Sequence, residues 1–166
     1  MASLGVKIML SFIAVLFLGC SNNPIDVVKN GTLDIDKSVS IGNAFEGYKY
    51  FSDKRWKTFV DQQKRTIVEF SADLRLDMQD IERNFGKFGS ADPNRLEQIK
   101  SIVYIAQFKI NKDELKKFNI AYSAIMITLK NGRKGENIDR SGDILREIYN
   151  NKQLTGWILF LLNTTI

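Results

Sequence analysis

SIGNAFEGYKYFSDKRWKTFVDQQKRTIVEF, residues 40–70, passes from helical to strand spacing within 31 residues. Ser40 can cap a helix, its hydroxyl accepting an otherwise orphaned backbone N–H. Ile41, Ala44, Phe45, Tyr48 and Phe51 then recur at helical spacing on one face. Gly42 and Gly47 each weaken such a helix by up to about 1 kcal/mol relative to Ala. Their presence predicts close packing against a sheet, or an irregular helix. Ser52 and Asp53 break the helix, and Trp56, Thr58 and Val60 alternate with Lys57, Phe59 and Asp61 as a strand. Residues 61–64 make a turn into a long strand over residues 66–76. Its Val68, Phe70, Ala72, Leu74 and Leu76 share one side, with Ile67, Glu69, Ser71, Asp73 and Arg75 on the other. One apolar and one mostly wet face is the pattern of an antiparallel sheet.

Working outward from this stretch, residues 77–93 (DMQDIERNFGKFGSADP) interrupt the strands with a turn-rich excursion, the first candidate for a contact-making loop. Residues 101–110 alternate as a third strand and residues 118–130 supply a fourth, ended by Asn131-Gly132. Ser141 is placed to cap a last helix with Ile144, Leu145, Ile148 and Tyr149 inward. The apolar run Trp157–Leu162, WILFLL, is too short to span a membrane and reads as a final buried strand or segment, or as an exposed docking patch. Upstream, residues 22–37 read as a tether. The expected fold is α+β: an N-terminal helix packed on an antiparallel sheet of about four strands, with a C-terminal helix. The expected organisation is a signal peptide over residues 1–19, a tether over 20–37 and one domain over 38–166.

Composition narrows the chemistry. The 166 residues are 44% apolar and 26% charged, an ordinary globular balance. No histidine is present, which removes the commonest general base and transition-metal ligand. With a single cysteine, Cys20, there is no intrachain disulfide, no Cys-based zinc site and no Ser–His–Asp or Cys–His catalysis. Asp34 and Asp36 alternate as a calcium loop would, but Val39 stands where that loop needs its glycine. No metal, cofactor or catalytic residue is assigned, and the chain is expected not to be an enzyme. The net charge of +5 is modest, and its basic residues are scattered.

Residues 1–19, MASLGVKIMLSFIAVLFLG, carry one charge, Lys7, ahead of an apolar run. That is the layout of a secretory signal. Cys20 follows at once, and Phe17-Leu18-Gly19-Cys20 resembles the lipobox of bacterial lipoprotein precursors. Gly19 and Cys20 fit that pattern, while Phe17 and Leu18 are bulkier than usual. The resemblance implies a lipid on Cys20 and an exported domain held at the cell membrane. Ser21, rather than Asp, implies the outer membrane where the host has one. The alternative is an uncleaved signal anchor with an incidental cysteine.

The domain resembles a group of small uncharacterised bacterial envelope proteins. It does so through Val28, Lys29, Asn30 and Gly31; Ile41, Gly42, Ala44 and Phe45; Trp56; Val68, Glu69 and Phe70; and Gln107, Phe108, Ile110, Phe118 and Ile120. The resemblance spans roughly residues 27–128, departs from the group at the long excursion of residues 77–93, and brings no catalytic residues.

Three functions are weighed on these features. The first is a lipid-anchored, non-enzymatic module that binds an envelope protein or cell-wall partner. It uses the apolar patches at residues 85–88 and Trp157–Leu162. The second is anionic lipid or wall-polymer binding through Lys54, Arg55, Trp56 and Lys57, where an aromatic is interleaved with basic residues; nucleic acid is not expected as a partner of an exported domain. The third is a carboxylate-only cell-wall hydrolase using Glu69 and Asp73. Four residues apart on one strand face, their Cα atoms would lie about 13 Å apart, more than the ~5–9 Å such chemistry uses.

Overall fold

Alternation along four long segments builds most of the molecule. A computed structural model describes residues 23–76, 79, 93–111 and 117–165. The signal segment, Cys20, the patch at residues 85–88 and nearly all of the 77–93 excursion lie outside them. The described chain runs α1 (Pro24–Asn30), β1 (Thr32–Leu33), β2 (Asp36–Ser40), α2 (Ile41–Gly47), β3 (Phe51–Val60), β4 (Thr66–Leu74), a 3-10 turn (Pro93–Gln98), β5 (Ile99–Ile110), β6 (Phe118–Leu129), β7 (Lys134–Ile138), α3 (Asp143–Tyr149) and α4 (Thr155–Thr165). β1 and β2 form a small hairpin. The other five strands make one antiparallel sheet in the order β3-β4-β5-β6-β7. The fold is α+β, with one strand more in the main sheet than expected.

The register puts Trp56 beside Phe70, Phe70 beside Ala106, and Tyr104 beside both Ala72 and Ile125. These residues define an inner face. α1, α2, α3 and α4 all pack on it through Val28, Ile41, Phe45, Ile144, Ile148, Ile158 and Leu162. Phe45 is the hub: its ring lies 4.7 Å from Phe70, 5.8 Å from Tyr104, 6.1 Å from Trp56, 6.3 Å from Phe108 and 6.5 Å from Phe51. Burying such a ring is worth about 1.5–3 kcal/mol. The edge-on and tilted pairs add about 0.5–1.5 kcal/mol each beyond area.

Ser40 caps α2 as expected, accepting from Asn43 N at 3.2 Å. The helix is shorter than its spacing predicted. It ends at Gly47, and Phe51 starts β3, reaching the same core from a strand. A core contact at i+10 does not require that the helix continue. β3 absorbs the break with a bulge between Ser52 and Arg55, where Asp53 adopts φ +45°. Gly42 does answer a close approach, but to α1 rather than the sheet: a Cβ there would stand 2.9 Å from the Lys29 carbonyl oxygen.

Three further expectations change. The tether is folded from Asn23 onward: Val28 is fully buried, and Ile25, Val27, Leu33 and Ile35 pack against the core. Ser141 does not cap the last turn-helix. α3 begins after Gly142 at φ +77°, and Asp139 takes the capping role, its Oδ2 accepting from Leu145 N at 2.9 Å. The WILFLL run is the buried segment rather than an exposed patch, but it is helical and not a strand: it lies in α4, with Ile158, Leu159, Leu161 and Leu162 buried and Phe160 exposed. Apolar residues on nearly every side suit a helix enclosed on most of its circumference.

Candidate binding surface

α1–α4 occupy one face, and none of them covers the other face of the sheet, where Ile67 and Ala124 are nonetheless buried. Lys57, Glu69, Gln107 and Tyr122 stand in register across β3, β4, β5 and β6. Lys57 Nζ lies 2.8 Å from Glu69 Oε1, and Gln107 Nε2 donates to Glu69 Oε2 at 2.7 Å. Glu69 is thus only 8% exposed on a nominally wet face. Tyr122 continues the line, its hydroxyl donating to Glu136 Oε1 on β7. Partial burial, and then this hydrogen bond to a carboxylate, hold the Tyr122 phenol well above its ordinary value. Around the polar ladder lie half-buried Val103, Ile105 and Met126, buried Ala124 and exposed Ile138. The result is a surface of satisfied polar groups and apolar side chains, 41% exposed at its Ile138 rim.

The four residues expected to form one basic-aromatic site are distributed differently. Successive strand residues point to opposite faces, so Trp56 turns inward while Arg55 and Lys57 turn outward. Trp56 packs between Phe45 and Phe70, and its indole N–H donates to Glu46 Oε1 at 2.8 Å. Lys29 closes this corner, 3.2 Å from Glu46 Oε1 and 5.2 Å above the Trp56 ring. Burial opposes ionisation of Glu46, but the indole N–H and Lys29 outweigh it and hold the carboxyl below its ordinary value. Lys54 donates to the Glu46 carbonyl oxygen, and Arg55 pairs with Asp73 at 3.2 Å. Alternation in the sequence signalled this split; the partner of each residue depends on register.

Groups with catalytic potential are likewise engaged. Glu69 and Asp73 share the outer face, each bound to a cation or amide rather than flanking a cleft. The Ser123 hydroxyl meets Tyr104 OH at 3.1 Å in the buried interior. Near it, Asn137 Nδ2, Asp139 Oδ1 and Tyr149 OH are buried without a hydrogen-bond partner. Burial foremost, with the Asp36 charge, pushes the Tyr149 phenol up to about 12. Among the described residues no cluster of acidic or cysteine side chains could hold a metal ion. A groove of about 660 Å³ runs beside Leu33, Ile35, Phe118 and Ile120. Glu69, Gln107, Tyr122 and Glu136 were not singled out together from sequence. The alternation places Glu69 and Gln107 on outer faces, but only pairing brings them side by side.

Fold and surface together define an antiparallel meander with α1–α4 on one face. Compared with known protein families, curated proteins and solved structures, the chain matches none. No helix among the described residues is long and apolar enough to cross a membrane.

Proposed function

We propose that this chain is a lipid-anchored bacterial cell-envelope protein whose domain is a non-enzymatic binding module. Its outer sheet face would be presented to a protein partner in the envelope. The observation that carries the reading is the placement of α1–α4 on one side of the sheet. That leaves Val103, Ile105, Met126 and Ile138 on the opposite surface, among polar groups already satisfied within the chain. Such a face offers apolar area at little polar desolvation cost, because Glu69 and Gln107 keep their partners when water leaves. The lipid reading rests on residues 8–19 and Cys20. The cationic-patch reading draws less support, since Arg55 and Lys57 are ion-paired and Trp56 faces the core.

Two measurements test it. Intact mass of the protein from membranes should show loss of residues 1–19 and addition of a diacylglycerol, both absent in Cys20→Ser. A full-length, lipid-free mass would overturn the anchor. A photo-crosslinker placed at Ile105 in cells should give a discrete adduct that Met126→Glu abolishes, while one at Asp26 on the helical side gives none. Equal adducts from both positions would retire the outer face as the binding surface.

A further inference from the structure

β6 is longer than the strand that covers it. β7 stays in register with β6 from Thr128 to Ala124, and the last bond is Asp139 N donating to Ser123 O at 2.8 Å. β6 continues through Phe118–Tyr122, and among the described residues this part pairs with β5 alone. Neither strand of the β1–β2 hairpin packs along it. In an antiparallel ladder, successive residues direct their N–H and C=O to alternate sides. Asn111 N donates to Lys117 O at 2.9 Å, so Lys117 faces β5. Phe118 and Ile120 therefore turn their backbone groups away from β5, where no strand among the described residues receives them.

Composition sets this half-edge apart. β3 carries Lys54, Arg55 and Lys57, and β7 carries Lys134 and Glu136. Charges of that kind discourage pairing with another chain. Residues 118–122, FNIAY, hold no charge and no proline, and Ile120 is 37% exposed. Phe118 and Ile120 stand opposite the buried Ile110 and Phe108, so their side chains share the inner face. There they line the groove of about 660 Å³, whose other wall is Gly31–Ile35 with its apolar Leu33 and Ile35. A strand added at this edge would bond to Phe118 and Ile120 and set alternate side chains against that apolar lining.

We propose that the Phe118–Tyr122 edge takes an extended peptide segment of another protein as an added strand, continuing the line of β7. The segment alternates: apolar where it meets Phe118, Ile120 and Leu33, polar where it meets the outer face beside Asn119. A second copy of this chain is the poorer occupant. Two such edges side by side, each about 17 Å long and about 10 Å thick, would bury about 350 Å² in all, far short of the roughly 1,200 Å² of a stable interface. A peptide gains contacts from β6 and the hairpin together. The site is separate from the outer face and does not depend on the lipid.

The test pans a phage-displayed library of random dodecapeptides on the full chain in detergent micelles, and measures synthetic copies of the enriched peptides by fluorescence anisotropy. The enriched peptides should alternate apolar and polar residues. They should bind Ile120→Lys, which places a charge on the edge, at least about tenfold more weakly. Ile120→Pro should do the same, because it removes an N–H that β5 does not use. Methylating alternate backbone nitrogens of the peptide should abolish binding in one register and spare it in the other. Far-UV spectra check that the variants are folded, and Ile120→Lys decides alone where the proline variant is not. Amide exchange of the free chain tests the edge without any peptide: the Ile120 N–H should exchange about tenfold faster than that of Asn119, which faces β5. Equal protection of the two would mean that the edge is already covered, and overturns the proposal. Enrichment of no peptide, or binding unchanged by Ile120→Lys, overturns it as well. A dimer of the free chain that Ile120→Lys separates would assign the edge to a second copy instead.

Discussion

At the scale of single residues, Phe45 and Glu46 are neighbours with opposite duties. Phe45 joins five aromatic rings, and Phe45→Ala should destabilise the fold by about 3–5 kcal/mol, through lost burial and the cavity left behind. Urea unfolding would measure it; a loss below about 1 kcal/mol would mean the core closes around the gap. Glu46 turns to the corner formed by Trp56 and Lys29, where it titrates below its ordinary value of 4.5. Asp36, held by the Ser38 hydroxyl and N–H, and Asp61, held foremost by the Arg65 backbone N–H, are also lowered. A carboxyl lowered in the folded state contributes stability that is complete above its unfolded value and is lost as pH falls through the folded one. Melting temperature should therefore decline as pH drops below about 4.5, and Glu46→Gln should flatten the upper part of that decline. A wild-type profile unchanged down to strong acid would contradict this. The spacing of residue 45 showed that it belonged in the core; that Glu46 would find Trp56 depended on how α2 lies over β3.

At the scale of elements, the two edges of the sheet are protected in different ways. β3 is an edge strand, and its Lys54, Arg55 and Lys57, with the bulge at Asp53, are devices that discourage pairing with another chain's edge. Replacing Lys54 and Lys57 with Thr should raise self-association, seen by light scattering at rising concentration, while the far-UV spectrum stays unchanged. A variant that stays monomeric would leave these lysines without that role. At the other edge, β7 was missed in the sequence because its inward positions are Gly135 and Asn137, not apolar residues. Gly135 makes room for α4: a Cβ there would overlap the Thr165 side chain and stand 3.1 Å from Ile127 Cγ2. Gly135→Ala is expected to cost about 1–3 kcal/mol by overpacking, with Thr165→Ala recovering part of it in a double-mutant cycle. Simple additivity of the two would show that the contact carries no energy.

At the scale of the whole molecule, the domain begins earlier than composition suggests. α1 and the β1–β2 hairpin contribute Val28, Ile25, Val27, Leu33 and Ile35 to the core, so a chain begun at Ser38 should melt well below one begun at Ser21, or fail to fold. Equal melting temperatures would make residues 21–37 a dispensable tether after all. The sequence alone determined that this is an α+β protein with an antiparallel sheet, which residues of β4 face inward, and that histidine and disulfide chemistry are excluded. Those conclusions follow from composition and from a two-residue periodicity, both written along the chain. Tertiary contacts settled that β7 completes the sheet, that WILFLL is helical, that Trp56 parts from its basic neighbours, and that Lys57, Glu69, Gln107 and Tyr122 line up across the outer face. Each of these depends on register and on which element covers which face, and contacts between residues distant in sequence set both.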